Sequence, residues 1–310
     1  MKIAASILAF FIFVLAISSL FLNKNIPKRT PSPESKSQQE SKATILLGGD
    51  VMLARSVMTK SIKAGDYAYP FSKIADFTKD ADIFFVNLEN PIVSGCPKTD
   101  SGFKFCADPK MIEGLLFAGV DVVTLANNHA GNYGQEGIEE TKKFLDQSGI
   151  KFVGFDNLET IKVGDIKIGL LGLDFLTNTP KDSDFKLISE SKKEVDFLVV
   201  GIHWGVEYRY EPESYQKELA KKIIESGADA IAGHHPHWVQ KIEYIEGKPI
   251  YYSFGNLVFD QMWSEETKKG LLVKLTVNKN GKIVNEEFIK TYMSAFAQPE
   301  LVPRPGFEPG

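Results

Sequence analysis

The chain has 310 residues, 43% hydrophobic and 25% charged, with 36 Lys and Arg set against 40 Asp and Glu for a formal charge of -4. That is enough apolar material for a large core, and the positive charge is too evenly mixed with negative to form a nucleic-acid footprint. Only five His and two Cys are present, so the places where they fall carry information.

From the N-terminus, Ile3 to Leu22 is strongly apolar and uncharged. At about 1.5 Å per residue this stretch is long enough to cross a hydrocarbon core of roughly 30 Å. A cleaved leader favours a shorter apolar core and small residues at its cleavage site, and "SSLFLN" fits such a site poorly. Residues 1–23 are therefore expected to form an uncleaved transmembrane helix, a single-pass signal-anchor in the cell membrane. Lys2 precedes the span and Lys24, Lys28 and Arg29 follow it, so the positive-inside rule leaves its orientation open. Residues 24–42 are polar, contain three prolines and lack apolar periodicity, as a disordered linker does.

Residues 43–292 read as one folded domain. The runs "TILLGG", "IFFVNL", "VVTLAN", "IKIGLLGL", "FLVVGI", "AIAG" and "PIYYSFGN" are short, apolar and mostly bounded by Gly, Asp or Asn, as buried strands are. Two intervening segments carry helix signals. In "DPKMIEGLLFAG", Asp108 is the expected N-cap, Pro109 the first helical residue and Gly119 the stop. In "ESYQKELAKKIIESG", Tyr215, Leu219, Ile223 and Ile224 form an apolar stripe that Gly227 ends. Strands alternating with helices imply an α/β fold, and a hairpin through "NKNG" makes the sheets mixed. Residues 293–310 are rich in Pro and Gly and are expected to be a disordered tail.

Cys96 and Cys106 flank a loop containing Pro, Gly and Ser. A local disulfide there, worth about 3 kcal/mol in the chain-entropy model, would fit an extracytoplasmic location. The alternative is two unrelated thiols.

The polar residues at strand ends form a pattern. Asp50 ends the first run, Glu89 the second, and Asn128 with His129 the third; His203 and Glu207 follow "FLVVGI", and His234, His235 and His237 follow "AIAG". Open α/β sheets bind ligands at the carboxyl ends of their strands. Each residue alone has an ordinary structural reading, as a cap, a turn residue or a satisfied core histidine. Together they place every His of the chain at one end of the sheets. Carboxylate, imidazole and amide oxygen suit a borderline divalent cation such as Mn, Fe or Zn, and two carboxylates with several His are enough for two ions. Pro236 biases His235 towards extended backbone, in which residues two apart point the same way. His235 and His237 are thus expected to face the metals and His234 to turn to the other side, where it would support the ligands, face the substrate or simply be packed.

The stretches "GGDVMLARSV", "NLENP", "LANNHAGNYGQEGIEET", "HWGVEY", "GADAIAGHHPHWVQKIE" and "IYYSFGNLVFDQ" resemble, in order, the motifs of the CapA type of poly-gamma-glutamate capsule synthesis protein. That family is similar to the calcineurin-like metallophosphoesterases. The resemblance implies a four-layer sandwich of two sheets flanked by helices, with one or two divalent ions at the strand ends. By the same resemblance Asp50 and His237 would hold one ion, Asn128, His203 and His235 a second, and Glu89 would bridge them. His129 would act as general acid, Glu207 would line the site, and Arg55 would grip an anionic substrate bidentately. Two departures stand out. Phosphoesterases begin Asp-x-His where this chain has Asp50-Val51-Met52, and Asn132 stands where relatives often carry an Asp near the catalytic His.

The expected function is that of a membrane-anchored, extracytoplasmic metal-dependent hydrolase that acts in making, exporting or attaching an anionic polymer such as poly-gamma-glutamate, beside membrane synthase subunits. Its rival is a non-catalytic, metal-containing accessory subunit that binds the polyanion.

Overall fold

A computed structural model describes residues 41–302. The expected membrane anchor, nearly all of the linker and the last eight residues lie outside the described residues. Among the described residues no helix is long and apolar enough to cross a membrane.

Two sheets stack face to face. The first has eight strands, in the order β14-β13-β12-β1-β2-β3-β4 with β11 paired to β1. Its centre is β1 (Lys42–Val51), β2 (Ile83–Leu88) and β3 (Val122–Thr124), and its rim includes β4 (Lys151–Val153), β11 (Asn256–Val258), β12 (Lys269–Asn278) and β13 (Ile283–Ala295). The second sheet is made of β5 (Glu159–Val163), β6 (Ile166–Asp174), β7 (Phe197–His203), β8 (Ala230–His234), β9 (Ile242–Ile245) and β10 (Lys248–Tyr251), in the order β5-β6-β7-β8-β10-β9. Strands β1, β2, β3 and β4 are parallel, as are β6, β7 and β8, whereas β12 and β13 are antiparallel through the "NKNG" turn.

Period-2 alternation sorts each strand between two cores. Ile45 and Leu47 of β1 join Phe85, Ile168, Val199 and Ala232 between the sheets. Leu46, Phe84 and Val86 face outward into a layer that holds Leu115 of α3 (Ile112–Ala118) and Leu145 of α4 (Gly134–Ser148). On the far side, Leu198 and Val200 pack on Ile188 of α5 (Asp182–Lys193) and on Ile223 and Ile224 of α6 (Ser214–Glu225). The four-layer mixed α/β architecture follows.

Asp108 caps the segment leading into α3, accepting from the Lys110 N–H at 3.0 Å, and Gly119 closes that helix in left-handed conformation. In α6 the stripe differs from expectation. Tyr215 is exposed and Gln216 is buried, because the Tyr215 hydroxyl accepts from the Gly205 N–H at 2.8 Å and holds its ring at the surface. The ordered chain also runs past residue 292. β13 continues to Ala295, and β14 (Gln298–Leu301) pairs with it. Gln298 anchors this edge by donating to the Tyr69 carbonyl and to Ser72 Oγ, so residues 293–295 and 298–301 are strand where Pro and Gly content leads to the expectation of disorder.

Two glycines let the segment Tyr252–Gly255, which leads from the second sheet into the first, lie close against β8 and β1. A Cβ on Gly49 would lie 2.0 Å from the Gly255 carbonyl oxygen, and one on Gly233 would lie 2.1 Å from that of Tyr252. Gly49→Ala is expected to destabilise the protein by about 1–3 kcal/mol or more, seen as a fall of several degrees in Tm. An unchanged Tm would mean that this segment does not approach β1 so closely.

Candidate metal centre

Asp50 sits at a bulge near the end of β1, fully buried. Its N–H donates to the Gly255 carbonyl at 3.0 Å. Asn87 Nδ2 donates to Oδ1 at 2.8 Å and the His235 N–H to Oδ2 at 3.3 Å, while His234 Nδ1 and His237 Nδ1 stand 3.4 Å and 3.2 Å away. Burial alone would raise the Asp50 pKa, but the His234 and His237 rings outweigh it and hold the carboxyl well below its ordinary range. His237 responds in reverse. Burial alone would lower it, yet the Glu89 and Asp50 carboxylates push it up to about 9.

Glu89 lies just beyond β2 with 0% of its surface exposed. Among the described residues neither of its carboxylate oxygens has a hydrogen-bond partner. His203 Nε2 is 3.7 Å from Oε1. Burial drives the Glu89 carboxyl well above the ordinary range. A bare carboxylate in such a place is costly unless a cation or proton joins it. Around it three sets of ligand atoms each lie within 4.8 Å of one another: Glu89, His203 and His235; Asp50, Glu89 and His237; and Glu207, His235 and His237. Glu89 belongs to two of the sets, as a bridging carboxylate would. Asn128 adds an amide oxygen 3.0 Å from His203 Nε2.

Asp50, Glu89, Asn128, His203, His235 and His237 are thus brought together, the first three from one sheet and the last three from the other. Burial lowers the His203 pKa well below its ordinary value and that of His235 to about 4, so both rings are neutral at pH 7, the form a metal ion would need. On His237, Nδ1 is taken by Asn256 Oδ1 at 3.0 Å and by Asp50, which leaves Nε2 to bind. The donor set is nitrogen and oxygen only, because the two cysteines are joined to each other. It fits a borderline divalent ion.

Three expectations change here. His235 and His237 do converge, but not in extended backbone: φ is 96° at His235 and 59° at His237. The preference imposed by Pro236 loses to tertiary contacts, because the chain must turn sharply after β8 to return His237 to Asp50. Left-handed backbone outside Gly costs of the order of 1–3 kcal/mol per residue and concentrates at functional sites; Arg55 and Tyr208, also at this site, share it. Second, His234 belongs to none of the three ligand sets, as expected of a neighbour, yet it does not turn from Asp50. It faces Asp50 and is boxed in by Phe85 and Phe254. Third, Arg55 has no free fork. It is ion-paired to Asp260, donates to the Gly102 carbonyl at 2.9 Å and lies over the Phe105 ring. Only its Nε is unpartnered, so a bidentate grip on an anion would have to displace Asp260 or Gly102.

His129 sits at the edge of this cluster. Its ring stacks on Phe105 at 4.0 Å, and Nδ1 is 3.2 Å from Asn132 Oδ1. The same oxygen accepts the Phe105 N–H at 2.6 Å. The amide therefore takes the carboxylate's place, orienting Nδ1–H without adding charge and leaving Nε2 outside this hydrogen bond. Burial lowers the His129 pKa, so the resting ring is neutral at pH 7. Met52 is no ligand, since its sulfur accepts from the Ala54 N–H at 3.1 Å.

A disulfide links Cys96 to Cys106 with Cα atoms 5.9 Å apart. The loop it closes contributes Gly102 to Arg55, and Asp100 to Ser56 and Thr59, with Phe105 at its base. Replacing both cysteines by Ser is expected to cost about 3 kcal/mol, or roughly 5–10 °C in Tm. Calorimetry of the paired variant checks this, and the loss should be matched by reductant alone.

Composition and spacing do not single out the supporting amides. Asn87 Oδ1 accepts from Asn127 Nδ2, Asn127 Oδ1 accepts from the His129 N–H, and Asn90 Oδ1 accepts from the Leu53 N–H. The available signal is a polar residue inside an apolar run, as in "IFFVNL".

Residues 44–261 match the family described as "Bacterial capsule synthesis protein PGA_cap". The chain belongs to this capsule synthesis family. Relatives include the capsule biosynthesis protein CapA of Bacillus anthracis, 30% identical over 80% of this chain and 67% of that protein. The PGA biosynthesis protein CapA of Bacillus subtilis is 30% identical over 87% and 76%. Among solved structures, a phosphatase from Mycoplasma pneumoniae superposes with a TM-score of 0.54 at 16% identity, covering 81% of this chain and 94% of that one. A protein from Thermus thermophilus gives 0.52, with 80% and 98% covered. This chain thus shares the fold of those two structures.

Proposed function

We propose that this protein is a metal-dependent, phosphoesterase-like hydrolase that acts in the synthesis, export or attachment of an anionic capsule polymer such as poly-gamma-glutamate. It does so outside the cell, held by residues 1–23 in the membrane near synthase subunits. The observation that carries the metal is Glu89, a fully buried carboxylate without a hydrogen-bond partner among the described residues, ringed by His203, His235, His237 and Asp50. The polymer is supported by the names of the CapA relatives, and the outward location by the Cys96–Cys106 disulfide.

An ion held by these residues would supply charge stabilisation for an oxyanion developing on the substrate. The chain's own contribution is positional. Asn132 fixes the His129 tautomer, Phe105 fixes its plane, and Nε2 is left to exchange a proton with a leaving group. Glu207, exposed beside His235 and His237, lines the entrance.

The accessory-subunit reading is favoured by Met52, which leaves one ion short of a ligand, and by the engagement of Arg55 with Asp260. Metal analysis of the purified protein decides the first question. One or two bound transition ions are expected, and a folded preparation that neither contains nor takes up metal would remove both readings. Metal-loaded protein that turns over no phosphodiester would select the accessory role.

A further inference from the structure

A groove opens beside the metal cluster that no role above employs. It has a volume of about 520 Å³ and is lined by Tyr208, Arg209, Tyr210, Glu211, Glu213 and Trp238. Small-molecule sites run to roughly 300–1,000 Å³. Its inner end is Tyr208, whose ring lies 6.1 Å from that of His237. Around Tyr208 the rings continue outward, with Trp263 at 5.0 Å and Trp238 at 6.2 Å, and Tyr210 packs on Trp238 at 4.7 Å. Trp263 is 62% exposed and Tyr210 54%, so aromatic faces are presented to solvent directly beside the site.

The walls are fixed by the scaffold. The Tyr208 N–H donates to the Pro236 carbonyl at 2.9 Å, and Gln261 donates to the Tyr208 hydroxyl. Gln240, buried beneath, donates to the carbonyls of Arg209 and Glu211. Tyr208 is held at φ 61°. One donor is left over, because Trp238 Nε1 is buried with no hydrogen-bond partner among the described residues. A buried indole N–H normally finds an acceptor.

Charge and chemistry choose the occupant. A polyanion entering here would meet Glu211 and Glu213, and the Glu207 carboxylate stands close to His235 and His237 at the neighbouring cluster. A cation would meet Arg209, and Glu211 is already paired with Lys241 at 3.0 Å. A neutral polyhydroxyl ring uses both signs. Its C–H face packs on an aromatic ring, while its hydroxyls donate to carboxylates and accept from guanidinium and indole N–H. We propose that the groove between Tyr208, Tyr210 and Trp238 is a binding subsite for a neutral sugar ring of a glycan lying against the metal centre. This claim concerns binding alone and does not depend on hydrolysis.

The test titrates the full chain with chitotetraose, cellotetraose and maltotetraose, following tryptophan emission and heat, with and without EDTA. Saturable binding of at least one, retained after chelation, is expected. Tyr210→Ala should weaken it about five- to tenfold, the scale of one lost stacked ring. Trp238→Phe, which keeps the ring and removes the N–H, should weaken it several-fold while leaving metal content unchanged. No saturable signal with any of the three, or binding that both variants leave intact, would overturn the proposal. So would poly-gamma-glutamate oligomers binding more tightly than the sugars in a manner lost with Tyr210→Ala. Because binding is read without turnover, its failure is distinct from failure of the hydrolase reading.

Discussion

Glu89→Gln protein is expected to purify without metal and yet, as the pH rises, to melt higher than the metal-free parent. Losing the shared carboxylate should weaken metal affinity by at least about 100-fold, more than the loss of an outer partner does. The stability effect follows from burial. Glu89 has its pKa raised well above the ordinary value, so the folded metal-free chain holds a proton there that the unfolded chain releases. The associated stabilisation is complete below the ordinary Glu value and is lost as pH climbs through the raised one. His237, raised to about 9 beside Glu89 and Asp50, adds to that loss, because the folded chain also keeps this proton after the unfolded chain has released its own. Gln does not titrate. In EDTA the two proteins should melt alike near pH 4 and diverge at pH 8, with the variant higher. Equal metal content in the two proteins would show that Glu89 is not a ligand.

The second large effect is at His129. His129→Ala should leave metal content intact and slow hydrolysis of an alkyl phosphodiester by about 10²–10⁴-fold. A nitrophenyl ester, whose leaving group departs without a proton, should be slowed far less. Equal losses on both would assign His129 to binding instead. Since burial sets the His129 pKa below 6.5, the protonated ring becomes scarce as pH rises through that lowered value. Turnover that needs this acid should therefore fall from there upward. Asn132→Asp places a negative charge at Nδ1 and should move that limb to higher pH, while its carboxylate can still accept the Phe105 N–H.

Much of this was legible in the sequence because strand ends and metal chemistry both leave local marks. Asp50, Glu89, Asn128, His203 and the His234 to His237 cluster each follow an apolar run, and the sheets bring those ends together. What was hidden depends on residues distant in the chain. Asp260 is polar in a loop, and nothing local ties it to Arg55, 205 positions earlier. Nothing local ties Asn87, inside the run "IFFVNL", to Asn127, whose Nδ2 the fold brings within 3.0 Å of its Oδ1. The backbone at His235 was misread because a local preference of Pro236 competes with a hydrogen bond to Asp50. β14 escaped notice because a four-residue edge strand with one Pro carries little pattern of its own. α4 begins without a side-chain cap and carries two glycines in its first turn.

The division of the donors between two sheets has a kinetic corollary. Asp50 and His235 are separated by 185 positions, and the strands that carry them belong to different layers. Neither sheet alone presents a complete coordination sphere, so the ion meets its ligands only after the layers have docked. Such distant contacts form late, because the entropy of closing the chain must be met first. An ion captured at that stage should slow unfolding markedly and leave the refolding rate nearly unchanged. It would act as a rivet set after assembly rather than as a template for it.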